Sequence, residues 1–489
     1  MIGIGQKTFE GAVWTVGFTI FIKILTSLTQ IILAWLLVPT DFGLFAMTLS
    51  ITNIATIFAG GQVRTILIQN QDQFNSKVSD GFWLGLFLNV IIGLLLISLA
   101  PVAAKIYNNE RIINLLYIVA LSIPIRALSI IYSSKLNIDL RYKTLVKLHF
   151  LEAAVLNFST IILALLNFGV YALVIPYLLS STTTAISTRI VVGKIKIYKP
   201  KISEWKLLIS NFSLLVLYNL FLSLQFDGIN LFVGIIHGPE VTGLFFWGYN
   251  LAVQAIFIFT LRLKDIFFPT FTKYKDEPAE RYKVFRKILT YLIIISVPVF
   301  CLQIILAPTF IKLLFNEKWY GAIEVIQWIS LIILVKPFNV LLDSVLLALG
   351  KNKLLLTLTF IVTLIVISSA FAGSILGLQV SVARWLSIAV VVTGIAQGLT
   401  GYILLKGNIP DFISDFKSLL LILLLMLSIT WLSFTIGSKI NDVFAIFVSI
   451  LMNLTFYIFI LKKIKSDFIE EIINRTGHRN FFVKLKLVR

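Results

Sequence analysis

Long apolar runs follow one another along nearly the whole chain, and this feature limits the possible folds more than any other. Hydrophobic residues make up 58% of the 489 residues and charged residues only 13%, whereas soluble proteins carry about 25% charged residues. A helix that crosses the roughly 30 Å hydrocarbon layer of a membrane needs about 20 apolar residues. Because the runs reach this length repeatedly, the sequence predicts an all-α polytopic membrane protein.

Short polar, Gly or Pro breaks separate the apolar runs and predict about fourteen transmembrane helices. The predicted spans lie near residues 12–38, 41–68, 80–104, 112–135, 145–167, 170–193, 207–236, 240–268, 287–315, 321–349, 353–377, 383–406, 416–437 and 442–461. The expected divisions are an N-lobe with helices 1–6 at 1–193, a basic crossover at 194–206, a C-lobe with helices 7–12 at 207–406, helices 13–14 at 407–462 and a basic tail at 463–489.

The two predicted lobes share sequence motifs. Pro39 and the run Gly43–Phe45 recur as Pro239 and Gly243–Phe245, each 200 positions later. Two further matches keep the same order at slightly larger offsets, and these are Leu99–Pro101 with Leu306–Pro308 and Arg141–Lys143 with Lys351–Lys353. With an even number of helices in each half, the repeats are expected to be parallel and pseudo-symmetric, as in many transporters.

Basic residues are unevenly distributed among the predicted loops. Lys and Arg concentrate after spans four, six and eight and are absent after spans one, five and seven. Because cytoplasmic loops carry an excess of Lys and Arg, the N-terminus, the C-terminus and the even-numbered loops are expected in the cytoplasm. The formal net charge of +19 is then explained by membrane topology, and no nucleic-acid partner is predicted.

Motifs of enzymes and metal sites are missing from the sequence. There is no GxSxG, Walker A, HxxxH or HExxH pattern, and Cys301 is the only cysteine. A membrane glycosyltransferase or polymerase would need carboxylates in a large loop, and no predicted loop is large enough. We therefore expect neither an enzyme, nor a cofactor, nor a metal site.

Polar and ionisable residues inside the predicted spans are the candidate site residues, because each costs several kcal/mol in a membrane unless it faces water or a partner. The candidates for substrate binding are Lys23, Gln30, Arg64, Arg126, Asn219, Asp227, Asn230, Lys264 and Lys336. If they face one another across the repeat axis, they enclose a polar cavity with net positive charge. Such a cavity suits phosphate or pyrophosphate, for which Lys and Arg are common ligands.

Several of these residues also have a structural interpretation. Arg64, Arg262 and Lys264 lie near span ends and could extend to the interface without binding anything. Lys23 and Asp227 could form an ion pair between the two halves.

The remaining candidate cations have a similar alternative. Arg126 could pair with Glu152, and Lys336 with Asp343, for packing alone. Glu152 and His149 lie on one face of span five and could form a proton relay, although such a pair near headgroups is more often structural.

A set of short segments carries a family resemblance across essentially the whole chain. The segments are Pro39–Phe45, Leu67–Gln69, Phe82–Leu84, Leu136–Lys143, Asp227 ahead of Gly234, Gly243–Phe245, Tyr249, Phe268–Pro269, Asn316–Trp319 and Leu347–Lys351. In order and spacing they resemble the Wzx-type lipid-linked oligosaccharide flippases, polysaccharide transporters of the multidrug/oligosaccharidyl-lipid/polysaccharide exporter superfamily. Arg64 departs from the pattern, because relatives often have a small or apolar residue there.

The resemblance implies a multi-pass protein of the bacterial inner membrane that acts as a monomer. Such relatives move an undecaprenyl-pyrophosphate-linked saccharide to the periplasmic leaflet by alternating access, for the synthesis of lipopolysaccharide or another surface polysaccharide. The implied partners are the lipid-linked oligosaccharide, membrane lipids, and the polysaccharide polymerase and export machinery. The alternative is a drug/cation antiporter of the same superfamily, but organic cations need carboxylates, and intramembrane cations predominate here.

Overall fold

The computed structural model describes residues 4–59, 62–202, 205, 213–260 and 263–464, and every regular element in these ranges is helical. The α-helices are α1 (Ile4–Leu36), α2 (Pro39–Thr56), α3 (Gln62–Gln69), α4 (Phe74–Ile106), α5 (Arg111–Ala127), α6 (Ile130–Ile138), α7 (Tyr142–Leu165), α8 (Tyr171–Val192), α9 (Ser213–Ser223), α10 (Ile229–Thr260), α11 (Leu263–Lys273), α12 (Pro278–Leu314), α13 (Ile323–Ser330), α14 (Ile332–Ala348), α15 (Asn352–Leu376), α16 (Gln379–Leu404), α17 (Ile409–Ser438) and α18 (Asp442–Ile464). Short 3₁₀ helices cover Gln71–Gln73 and Glu317–Ala322, and a π-helical turn covers Leu224–Gly228. The predicted all-α membrane fold is confirmed.

Within the described ranges, nine helical stretches are long and apolar enough to cross a membrane, or up to eleven if each of two bent helix pairs is one span. One bent pair joins α5 to α6 at 41°, and the other joins the helical segment Glu317–Ser330 to α14 at 43°. The count of fourteen stays a prediction.

Helix α8 is not among the nine, because it carries the polar run Ser180–Thr184. Hydroxyls of this run donate to carbonyls one turn earlier, as Thr184 Oγ1 does to the Ser180 oxygen at 2.8 Å, which lowers the cost of placing them in a membrane.

The chain packs into two compact units. The first unit contains Met1–Tyr249, Phe315–Ala322 and Asn352–Ala389, and the second contains Asn250–Leu314, Ile323–Lys351 and Val390–Arg489. The lobe boundaries near residues 193 and 207 stay a prediction.

The core of the first unit lies between α2, α4, α5 and α8. Leu96 and Leu115 are fully buried there, whereas Leu94 and Leu165 on outward faces remain about 60% exposed. Apolar residues on both the inner and the outer faces of the helices are expected for a bundle surrounded by lipid.

The duplicated motif forms a close backbone contact inside the first unit. Pro39 begins α2, and Pro239 follows a break in α10 at Gly238, whose φ of 77° is left-handed. A Cβ on Gly43 would lie 1.7 Å from the Pro239 oxygen, and a Cβ on Gly243 would lie 1.8 Å from the Pro39 oxygen. Only glycine permits this reciprocal approach, so the repeated motif has the same role in both copies.

The described part of the basic crossover lies along the first turns of α4. The Ser79 hydroxyl accepts from the Tyr198 backbone N–H at 3.0 Å, and the Asp80 carboxylate accepts from the Lys201 N–H at 2.6 Å. Trp83 Nε1 donates to the Tyr198 carbonyl at 3.0 Å. These bonds satisfy backbone groups that have no helix or sheet partner, so the crossover is attached to α4 by specific contacts.

The long helix α12 is central to the second unit, where it packs against α13, α14, α17 and α18. Phe285, Val297 and Cys301 on this helix are fully buried. The only cysteine of the chain is therefore a core residue.

Candidate functional site

A cavity of about 420 Å³ lies within the first unit, and residues of α2, α3, α4, α5, α6, α7 and α8 line it. Most of the polar groups in its lining are amides and hydroxyls. The lining includes Asn53, Arg64, Arg126, His149, Glu152 and Tyr177. Such a polar chamber inside a helical bundle is the usual form of a transport site in a membrane protein.

Three ionisable side chains on two helices form a linked group in this cavity. Arg126 near the end of α5 contacts Glu152 of α7, with 3.1 Å between Nη2 and Oε1. The other Glu152 oxygen lies 3.5 Å from His149 Nδ1, one turn earlier on α7. The Arg126 side chain remains 63% exposed while that of Glu152 is 17% exposed, so the guanidinium can still reach a ligand.

The charges of the cavity do not cancel. Arg64 on α3 is half-buried and lines the same cavity. Among the described lining residues two arginines therefore face one carboxylate, that of Glu152, and their formal charge is positive. A guanidinium presents a planar fork of donors that fits the oxygens of phosphate groups.

A second polar cluster adjoins the cavity through Asn53. The Asn53 amide donates to Asp227 Oδ1 at 3.0 Å, and Ser223 Oγ donates to Asp227 Oδ2 at 2.5 Å. Asp227 lies in the π-helical turn between α9 and α10, a helical irregularity often found at functional sites. Asn230, one turn later, is fully buried, and neither polar atom of its amide has a hydrogen-bond partner.

Comparison with known proteins identifies the family. A family model described as "Polysaccharide biosynthesis protein" matches residues 32–324, which is more than half of the chain.

The chain belongs to the polysaccharide biosynthesis protein family.

Curated relatives of this polysaccharide biosynthesis protein match over most of their length. The teichuronic acid biosynthesis protein TuaB of Bacillus subtilis (strain 168) is 26% identical over 72% of this chain and 74% of the relative. The lipopolysaccharide biosynthesis protein WzxC of Escherichia coli (strain K12) is 24% identical over 76% of this chain and 77% of the relative. The predicted resemblance to polysaccharide transporters is confirmed.

Solved structures show the same fold at lower sequence identity. The lipid II flippase MurJ in an inward closed conformation aligns with a TM-score of 0.74 and 15% identity, over 92% of this chain and 99% of that one. An inward-facing multidrug resistance MATE family transporter of the MOP superfamily aligns with a TM-score of 0.64 and 16% identity, over 78% and 94%. These similarities establish the fold of the polysaccharide biosynthesis protein.

The structure brings together only some of the residues predicted to bind substrate. Arg64 and Arg126 share the cavity, and Asp227 and Asn230 lie in the adjoining buried cluster. The pairing of Arg126 with Glu152, weighed above as an alternative, is present.

Four of the other predicted residues have described side chains, and none of these four is among the residues that line this cavity. Lys23 and Gln30 are half-buried on α1, Asn219 is half-buried on α9, and Lys336 is half-buried on α14 in the second unit. The side chain of Lys264 lies outside the described part of the protein. Arg262 also falls outside the described residues. Roles in binding for all of these stay predictions.

Sequence reasoning missed several residues of the cavity. The sequence identifies His149 and Glu152 as a pair on one helix face, a pattern that favours a structural role over a binding role. Asn53 gave little signal, because the residue at the repeat offset of 200 positions is the apolar Val253. An amide in the last turn of α2, inside a predicted membrane span, was the only sign that could have pointed to it.

Removing the Asp227 carboxylate should destabilise the polar cluster. In Asp227→Ala the Asn53 and Ser223 donors lose their acceptor, and each lost hydrogen bond costs about 0.5–1.5 kcal/mol. We expect a lower thermal unfolding temperature in detergent. Asp72→Ala, on an exposed 3₁₀ turn, is the matched control and should unfold like the unmodified protein. Equal unfolding temperatures for the two variants would contradict the assigned bonding.

Proposed function

We propose that this protein is a flippase that moves an undecaprenyl-pyrophosphate-linked oligosaccharide or repeat unit across the bacterial inner membrane for surface polysaccharide biosynthesis. The observation that carries the proposal is the positively charged polar cavity inside a unit of apolar helices. Membership of the polysaccharide biosynthesis family supports a saccharide cargo. Alternating access by helix bundles around a polar site is the general mechanism of repeat-built transporters.

The lining can meet both parts of such a cargo. Arg126 and Arg64 would hold the pyrophosphate through charge-assisted hydrogen bonds. Asn53, Tyr177 and the Ser and Thr hydroxyls of the wall could bond sugar hydroxyls. The isoprenoid chain would remain among apolar side chains or lipid tails, so only the polar head needs a chamber.

Glu152 would tune how tightly Arg126 holds the head group. The carboxylate already contacts the guanidinium at 3.1 Å, so a phosphate must share Arg126 with Glu152 or displace it. The loss of the Arg126–Glu152 ion pair then makes the binding of the phosphate less favourable. A transporter needs this balance, because a cargo bound too tightly on one side would not be released on the other.

The cavity charge also bears on the alternative function. A drug/cation antiporter must bind organic cations, and a lining with two arginines and one carboxylate repels them. We therefore propose a transporter rather than an enzyme, with both termini in the cytoplasm because the basic loops favour that topology. We further propose that it acts as a monomer beside a polysaccharide polymerase and export machinery.

Replacing Arg126 of the cavity should strongly reduce the export of cargo. In the bacterium that encodes this protein, deleting the gene should abolish the surface polymer and accumulate lipid-linked units in the cytoplasmic leaflet. Arg126→Ala should lower the polymer about 10- to 100-fold, because a hydrogen bond to a charged group is worth about 1.5–3 kcal/mol. Lipid-linked units in each leaflet and protein in the membrane should be measured together.

Arg111→Ala is the matched control, because Arg111 is exposed at the start of the same helix. It should leave polymer levels unchanged. Lys336→Ala tests the predicted partner cation in the second unit and should also reduce the polymer. Normal polymer in the Arg126→Ala/Lys336→Ala double variant, with normal protein levels, would refute the binding role of these residues. Export of ethidium that depends on the protein would instead favour the antiporter.

A further inference from the structure

A second cavity, distinct from the one described above, lies in the second unit between α12 and α17. It has a volume of about 720 Å³, and we call it the α12–α17 groove. The two helices run side by side from the same end, because Tyr282 contacts Asp411 and, one turn further along both helices, Arg286 contacts Asp415. The groove therefore follows two helices that start at one membrane surface.

A hydrogen-bonded network joins α12 to α17 near the helix starts. Arg286 donates two bonds of 2.8 Å to Asp415 and lies 3.3 Å from Asp411. The Tyr282 hydroxyl donates to Asp411 at 2.8 Å, and the Tyr402 hydroxyl donates to Asp415 at 2.6 Å. The charge of Arg286 is thus compensated by the two aspartates, and the network holds the two helices at a defined separation.

Two lysines add positive charge at the same end. Lys283 and Lys287 are one turn apart on α12, and both line the groove. Lys283 lies 3.7 Å from Glu280, but both side chains are more than half exposed, and such a pair is strongly screened by water. The cations that line the groove are Lys283, Arg286 and Lys287, and because Asp411 and Asp415 compensate Arg286, the two lysines supply the positive charge at this end.

The lining changes from polar to apolar along the groove. After the lysines come the hydroxyls of Thr290 and Ser418, and then Ile293, Leu419 and Ile422. From Lys283 to Ile293 the helix advances about 15 Å. That distance matches a phosphate head group followed by the glycerol and the upper part of an acyl chain.

We propose that the α12–α17 groove binds an anionic glycerophospholipid. Its phosphate lies between Lys283 and Lys287, and one acyl chain lies along Ile293 and Leu419. Basic pockets between transmembrane helices on the cytoplasmic side are favourable sites for anionic lipid head groups. The bound lipid stabilises the packing of α17 on the rest of the second unit. This site is separate from the cargo cavity of the first unit and does not depend on the proposed transport function.

The test measures the binding of lipids to the full chain, purified in detergent, by native mass spectrometry. Dioleoylphosphatidylglycerol and dioleoylphosphatidylcholine have the same chains and differ in head-group charge. We expect phosphatidylglycerol to bind about tenfold more tightly, and Lys283→Gln/Lys287→Gln to remove this preference, since each lysine adds to the attraction. Phosphatidylglycerol should also raise the unfolding temperature of the unmodified protein and not that of the double variant.

Lys273→Gln/Lys275→Gln is the control, because both lysines are exposed on the preceding segment, do not line the groove, and give the same charge change. It should retain the preference. An equal loss in this control would mean general charge attraction and would overturn the proposal, as would unchanged binding in Lys283→Gln/Lys287→Gln. Displacement by inorganic phosphate alone would reveal a simple anion site and overturn the lipid assignment. Undecaprenyl phosphate that displaces phosphatidylglycerol through the same lysines would make the groove part of the cargo path, which would also overturn it.

Discussion

Gly43→Ala and Gly243→Ala are each expected to abolish most transport while the protein still reaches the membrane. An added Cβ would lie 1.7 Å from the Pro239 oxygen in the first variant and 1.8 Å from the Pro39 oxygen in the second. Both obstacles are backbone atoms at helix starts, which cannot move aside as a flexible side chain would. The helices must separate, at a cost of about 3 kcal/mol, the upper end for overpacking a core.

The expected effect on transport follows from where the strain falls. Because each glycine contacts the other copy of the motif, either substitution disfavours the arrangement seen here relative to one in which the helix starts are apart. Because α2 also carries Asn53 of the cavity lining, a shift of its start disturbs the site, and surface polymer should fall at least tenfold, since 1.4 kcal/mol corresponds to a factor of ten. Polymer level, membrane protein level and unfolding temperature should be measured for each variant.

Gly17→Ala provides the control for these variants. Gly17 lies in α1, and a Cβ there would meet nothing within 4 Å. Alanine in a helix is favoured over glycine by about 0.5–1 kcal/mol, so this variant should be as active and at least as stable. Full transport by Gly43→Ala and Gly243→Ala would mean that the close contact is dispensable.

Trp319→Ala should be the most destabilising truncation in the first unit. Trp319 is fully buried, its Nε1 donates to the Ala34 carbonyl at 2.7 Å, and its ring lies 5.2 Å from Phe42 and 4.4 Å from Trp247. Replacing a buried Trp by Ala typically costs about 3–5 kcal/mol. The Ala34 carbonyl would also lose its side-chain donor close to the end of α1, where carbonyls lack helical partners. A large fall in unfolding temperature and in membrane accumulation is expected.

Two further variants separate the contributions to this effect. Trp319→Phe keeps most of the packing and removes the bond to Ala34, so its cost should be smaller, about 1–3 kcal/mol. Trp431→Ala removes an indole that is 58% exposed on α17 and should change stability by less than about 0.5 kcal/mol. If Trp319→Ala unfolded at the same temperature as Trp431→Ala, the anchoring role of Trp319 would be wrong.

Single residues of the sequence indicate part of the candidate site, but they do not predict the full set of residues that line it. Arg126 was evident as a cation deep in an apolar run, and Glu152 as its possible partner. Asn53 was not evident, because an amide in α2 has no counterpart at the repeat offset. The buried cluster around Asp227 depends on a π-helical turn, which no local pattern in this sequence announces.

The membrane fold can be read from the amino-acid order, because insertion of a helix into lipid depends on the transfer free energy of consecutive residues. The family and the repeated proline–glycine motif can also be read from it, because both are patterns of residues along the chain. Which helices become neighbours cannot be read in this way. Segments as distant as Phe315–Ala322 and Asn352–Ala389 join the first unit, and Asn53 meets Asp227 across the chain. In lipid, side chains that face a neighbouring helix are as apolar as those that face acyl chains, so hydrophobic periodicity does not mark the contacts. Close packing and a few hydrogen bonds select them instead, and these exist only in the folded bundle.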